Sequence, residues 1–98
     1  FNYLLDALAA VPEGDGSLLD NTLVLAINEI SRGNSHSHFD MPFILAGGSG
    51  GRLKTGRYLN YGGHSHTDLL VSVLNLVGVE TNQFGDPRFC QGPLVGLA

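Results

Sequence analysis

The sequence predicts an α/β chain with two buried, parallel strands and two helices. Thr22-Leu23-Val24-Leu25-Ala26-Ile27 and Pro42-Phe43-Ile44-Leu45-Ala46 are apolar runs of strand length, the first rich in β-branched residues. Such runs lack the polar alternation of a half-exposed strand. They match strands covered on both faces, as in parallel sheets. The third observation is helical spacing: Leu69, Leu70, Val73, Leu74 and Val77 fall on one apolar face.

The elements follow in order. Leu4, Leu5, Leu8 and Val11 repeat at helical spacing, which predicts a helix from Tyr3 to Val11. Pro12 and Glu13-Gly14-Asp15-Gly16-Ser17 end it in a turn. Asp20-Asn21 is a second turn signal before the first strand. Ser31 to Asp40 is a polar loop between the strands. Gly47-Gly48-Ser49-Gly50-Gly51 ends the second strand as a tight turn whose N–H groups can also form an anion nest. It lacks the Gly-Lys-Ser/Thr of a phosphate-binding loop. Arg52 to Gly63 reads as loop or a short edge hairpin. Ser65 or Thr67 caps the second helix, Asp68 suits the dipole in its first turn, and Gly78 stops it. Glu80 to Ala98 reads as irregular, with Pro87 and Pro93 inside it.

All four histidines fall in two copies of one tripeptide, His36-Ser37-His38 and His64-Ser65-His66. Neutral imidazole is the commonest metal ligand and the usual acid–base group near pH 7. In an extended backbone, alternation puts both imidazoles of a copy on one face. The same residues also make ordinary polar loops, and H-x-H without further ligands is a weak metal signal. Glu29 follows the first strand, at the end where open α/β sheets bind ligands; there it either acts in a site or caps a turn. Glu29, His36, His38, Asp40, His64, His66 and Asp68 are the candidate group. With nitrogen ligands it suits zinc, manganese or iron; with oxygen ligands alone, magnesium or calcium. Arg52, Lys54 and Arg57 can hold a small anion or form a solvated loop. Cys90, the single cysteine, excludes an internal disulfide and every cysteine-based zinc motif, and reads as a structural thiol. Ser35, Ser37 and Ser65 lack a nucleophile-elbow pattern, so no catalytic nucleophile is assigned.

Only 14% of the 98 residues are charged, against 43% hydrophobic, and the mean hydropathy is +0.11. A chain this short is mostly surface. So few charges imply that much of it is covered by the remainder of the same protein or by another subunit, an oligomer included. The first residues, Phe1-Asn2-Tyr3, open inside a helical pattern without Met, which points to a piece of a larger protein. A net charge of −4 argues against nucleic acid as a partner. No apolar run approaches the ~18 residues of a membrane span.

Read as an ordered set, several motifs carry a resemblance. They are Leu18-Leu19-Asp20-Asn21-Thr22-Leu23-Val24-Leu25, Glu29, Arg32-Gly33-Asn34-Ser35-His36-Ser37-His38 and Pro42-Phe43-Ile44-Leu45-Ala46-Gly47-Gly48. Gly51-Arg52-Leu53-Lys54-Thr55-Gly56-Arg57, His66-Thr67-Asp68-Leu69-Leu70, Gly85-Asp86-Pro87 and Gly92-Pro93-Leu94 continue the set. Together they resemble the C-terminal part of the uncharacterised, exported bacterial proteins of the HXXSHH family, which is similar to the alkaline phosphatase and sulfatase superfamily. The resemblance implies a segment of a three-layer α/β/α domain, with residues 1–98 undivided. It implies a periplasmic or extracellular location and a metal-dependent hydrolase of phosphate or sulfate esters, with the nucleophile outside this chain. Glu29, His36, His38 and His66 would be metal ligands or line the site. In the superfamily an Asp-His pair ends the metal-binding strand. Glu29-Ile30 stands there instead, and Ile30 cannot bind a metal. The resemblance therefore leaves a second reading, a non-catalytic exported protein with a binding, structural or assembly role.

Overall fold

A computed structural model describes residues 1–98. Helix α1 spans Asn2–Ala9 and buries no residue; Leu5 and Leu8 are half-buried on its inner side. The chain turns back at Gly14 through a minimal hairpin, β1 (Pro12–Glu13) against β2 (Gly16–Ser17). A short helix α2, Leu18–Asn21, follows. Its start is tied by Asp20, whose Oδ2 accepts from the Ser17 N–H at 2.7 Å and from the Ser17 hydroxyl at 2.8 Å. That is the return arm of a capping box.

The two apolar runs do become strands, β3 (Val24–Ala26) and β4 (Ile44–Ala46). They pair antiparallel, Val24 with Ala46, Leu25 with Leu45 and Ala26 with Ile44. The expected parallel pair and three-layer α/β/α architecture are therefore wrong for this chain, which holds two separate two-stranded antiparallel sheets and three α-helices. The physical reason lies in the connection. Parallel strands need a long crossover, usually a helix, to return to the same end. Between Ala26 and Ile44 the chain forms no helix, only a hairpin-like loop closed by a bridge between Arg32 and Ser37. It therefore re-enters the sheet from the end it left. Nor are the strands covered on both faces: none of their residues is buried, and Ile44 is 53% exposed.

The glycine cluster after β4 has a structural role that excludes the anion nest. Its N–H groups point at carbonyls: Gly48 donates to Leu19 at 3.0 Å, Ser49 to Thr22 at 3.2 Å and Gly50 to Asp20 at 2.9 Å. The loop thereby satisfies the carbonyls of α2 that helix geometry leaves open.

Helix α3, His66–Leu76, is the centre of the fold. Ser65 is its N-cap and accepts from the Thr67 N–H, and Gly78 at φ +89° follows its end. Leu69 and Leu76 form the core with Leu53, Leu94 and Leu97, and Leu23, Leu25, Phe43, Leu45, Tyr61 and Val73 pack against it. At the far end, buried Ser49 donates its hydroxyl to the Leu76 carbonyl at 2.8 Å. Ser49→Ala leaves that carbonyl only the longer bond from Arg52, at 3.3 Å, and chemical denaturation should show a loss of about 1 kcal/mol.

The C-terminal stretch is irregular apart from a 3₁₀ turn at Pro87–Phe89, yet it is part of the core. Side chains strap it to α3 and to the preceding loop. Leu94 N–H donates to Ser72 Oγ at 2.7 Å, the Tyr61 hydroxyl to the Val95 carbonyl at 2.9 Å, and Arg57 to the carbonyls of Gly96 and Leu97. No helix is long and apolar enough to cross a membrane.

Candidate functional site

The loop from Glu29 to Asp40 carries the first histidine motif. Ser31 N–H donates to the Ser37 carbonyl at 2.8 Å and Ser37 N–H to the Arg32 carbonyl at 3.3 Å, so the loop closes on itself. His36 sits in its turn at φ +51°. The motif is thus bent, and the one-face alternation expected of an extended backbone does not apply. His38 is held instead by its ring: Nδ1 lies 2.8 Å from the Glu29 carbonyl oxygen. A carbonyl only accepts, so Nδ1 carries the proton and donates it, and in the neutral ring Nε2 keeps its lone pair. The side chains of Glu29 and His36 are exposed.

The second motif starts α3. His64 precedes the N-cap and His66 is the first helical residue, with the extended Ser65 between them. His64 Nδ1 lies 2.9 Å from Asp68 Oδ2, the first-turn carboxylate reaching back to a residue just outside the helix. The His64 side chain is 38% exposed and Asp68 is 0% exposed. The second oxygen of Asp68 accepts the Gln91 N–H at 2.7 Å. Tyr61 meets the His64 ring edge-on, with centroids 6.1 Å apart and planes at 87°. Burial pushes the Asp68 carboxyl up, but hydrogen bonds from His64 and from the backbone of Gln91 and Gly92 hold it below the usual carboxylate range. Asp68 is therefore a buried carboxylate kept ionised by its donors.

The structure does not gather the expected ligand set. No three His, Cys, Asp or Glu side chains come together in a group able to hold a metal ion. Glu29 and His38 are joined, but through the Glu29 backbone rather than its carboxylate. His66 is exposed. The residues present thus do not fit a complete metal centre. The basic trio is also dispersed in its contacts. Arg57 donates to the carbonyls of Lys54, Gly96 and Leu97, and Arg52 donates to that of Leu76 at 3.3 Å. Lys54 is exposed. A cavity of about 390 Å³ beside α3, lined by Arg52, Asn75, Leu76, Leu94 and Leu97, includes none of the histidines.

Compared with family models, with curated proteins and with solved structures, the chain has no match.

The expected ligand set passes over the best-held imidazole, that of His64. The signal for it was in the sequence. His64 and Asp68 are four apart across a helix start, and a carboxylate in that first turn reaches back to a residue just outside it. The tail's part was not readable: nothing in Gln91 marks it as the donor that fixes Asp68.

Proposed function

We propose that the chain is the C-terminal portion of an exported, metal-dependent hydrolase-like protein of the HXXSHH type, acting on phosphate or sulfate esters. One observation carries the reading: each His-Ser-His motif holds one imidazole by Nδ1, His38 at 2.8 Å and His64 at 2.9 Å. A ligating or reacting histidine is normally oriented in this way, through a hydrogen bond on its other ring nitrogen. His38 is the nitrogen of this chain best placed to serve a metal, with Glu29 and His36 on the same loop. The remainder of the protein or another subunit supplies the rest of the site.

His38→Ala in the intact protein tests it. Metal content by elemental analysis should fall at least about tenfold at limiting metal, in line with losses seen when a metal's supporting groups are removed. Hydrolysis of p-nitrophenyl phosphate or sulfate should fall with it. Unchanged metal content and activity would sink the reading.

A second reading, a non-catalytic binding or assembly role, is favoured by the surface. Fifteen large apolar side chains are exposed, Phe39 at 82% and Tyr58 at 90% among them. A surface of that kind suits packing against another polypeptide. An intact protein that is stably assembled, free of metal and inert toward both esters would decide for it.

A further inference from the structure

The cavity of about 390 Å³ at the end of α3 plays no part in the hydrolase reading. Its floor is apolar: Leu76, Pro93, Leu94 and Leu97. Most polar groups around it are engaged within the chain, and those left over share one character. Ser72 Oγ donates to the Asp68 carbonyl at 2.9 Å and accepts the Leu94 N–H at 2.7 Å. Asn75 Oδ1 accepts the Thr81 N–H at 2.8 Å, which leaves the Asn75 NH₂ free. Arg52 Nη1 donates to the Leu76 carbonyl at 3.3 Å and lies 3.1 Å from where a Cβ on Gly78 would stand. The guanidinium is thus seated against a residue with no side chain. Its Nε–Nη2 edge has no acceptor, and no carboxylate of the chain pairs with it. The carbonyls that end α3 are covered as well: Val73 by the Val77 N–H, Leu74 by Val77 and Val79, Asn75 by Gly78, and Leu76 by Ser49. The free polar groups of the cavity are therefore donors, one of them fully charged.

Donors, a single positive charge and an apolar floor select a ligand. A cation is repelled. A phosphate dianion meets one charge where it needs more, and it has nothing to lay on the leucines. A carboxylate matches the free edge of a guanidinium in a side-on, two-bond pairing. An apolar body attached to it covers the floor, and the volume falls in the range of small-molecule sites. We infer that this cavity binds a small organic acid with one carboxylate and an apolar body. The carboxylate takes the Nε–Nη2 edge of Arg52 and the NH₂ of Asn75, and the body lies on Leu76, Leu94 and Leu97.

Amide NMR spectra of the intact protein, titrated with octanoate and separately with octan-1-ol, test this. Octanoate should give saturable shifts centred on Asn75, Leu76, Leu94 and Leu97. The alcohol keeps the apolar body and lacks the charge, so it should bind at least about tenfold more weakly, as for the loss of a charge-assisted pair. N75D keeps an oxygen for the Thr81 N–H and sets a negative charge beside the ligand. R52Q removes the positive charge and leaves Ser49 on the Leu76 carbonyl. Each should weaken octanoate about tenfold or more and leave octan-1-ol as it was. If the amide spectrum of R52Q shows an unfolded chain, N75D alone decides. Octanoate and octan-1-ol of equal affinity would overturn the inference, since the cavity would then be an apolar hollow indifferent to charge. Acetate binding as tightly as octanoate would overturn it too, because the floor would then contribute nothing. So would the absence of saturable shifts, shifts centred instead on exposed aromatics such as Phe39 and Tyr58, or octanoate affinity unchanged in the folded variants.

Discussion

Asp68→Ala is expected to lower the unfolding free energy by about 2–3 kcal/mol, chiefly the cost of leaving a hydrogen-bonded donor without its buried acceptor. The carboxylate joins three parts of the chain. It sits in the first turn of α3, holds the ring of His64 before the helix, and receives the Gln91 N–H from the tail. Alanine leaves the Gln91 N–H without its acceptor and opens a void where the side chain was fully enclosed. With ten buried residues in all, little else compensates. A domain's whole stability is about 5–15 kcal/mol, so the loss is a large fraction of it while the variant still folds. A urea midpoint near that of the parent would refute the prediction.

The same group sets a pH dependence. Its native pKa lies below the ordinary value, because donors from His64, Gln91 and Gly92 outweigh burial. The ionised form therefore favours the folded state. That contribution is complete above the unfolded carboxylate range near about pH 4 and is lost as pH falls through the native value. Acidification below pH 4, at about the point where unfolded carboxylates take up protons, should destabilise the parent more steeply than Asp68→Ala. Asp20 and Asp86, also depressed by hydrogen bonds, remain in both proteins and cancel from the comparison.

Much of the local structure was legible because it is decided locally. The spacing of Leu69, Leu70, Val73 and Leu74, the Ser65 cap and the Gly78 stop are one-helix properties, and α3 lies where they put it. The apolar runs mark β3 and β4 for the same reason. Pairing direction is not local. It depended on whether Ile27 to Phe43 formed a crossover helix, and a loop holding Gly33, Asn34 and Pro42 gave no such helix. Burial on both faces was likewise a statement about neighbours. Leu25 and Leu45 do face the core, while Ile44 on the other face meets solvent. The tail shows the converse: Leu94 and Leu97 have no periodicity to announce them, yet both are buried. At the candidate site, the spacing of His64 and Asp68 across the helix start marked a pair that the structure joins. What spacing could not show was which ring nitrogen each backbone or carboxylate oxygen would engage.

Gly47→Ala is the second large effect, and its size comes from two separate sources. Gly47 has φ +92°, outside the range that side chains favour, which alone costs about 1–2 kcal/mol. A Cβ there would also lie 2.1 Å from the Thr22 carbonyl oxygen and 3.0 Å from that of Leu19. Both are backbone atoms, so no rotamer relieves the overlap, and forced repacking costs about 1–3 kcal/mol more. Those oxygens accept from Ser49 and Gly48, so moving them loosens the seat of α2 on the loop after β4. A loss of about 2–5 kcal/mol follows from the sum. Gly50→Ala is the control. Its φ is +64°, but nothing lies within 4 Å of the added carbon, so it should carry only the backbone penalty. Equal denaturation midpoints for the two variants would show that close approach to α2 is not what requires glycine at 47. The loop also holds the Leu76 carbonyl through Ser49 and Arg52. Damage at Gly47 should therefore spread along α3, and amide exchange in Gly47→Ala should quicken near Leu76 before it quickens at the Asp68 end.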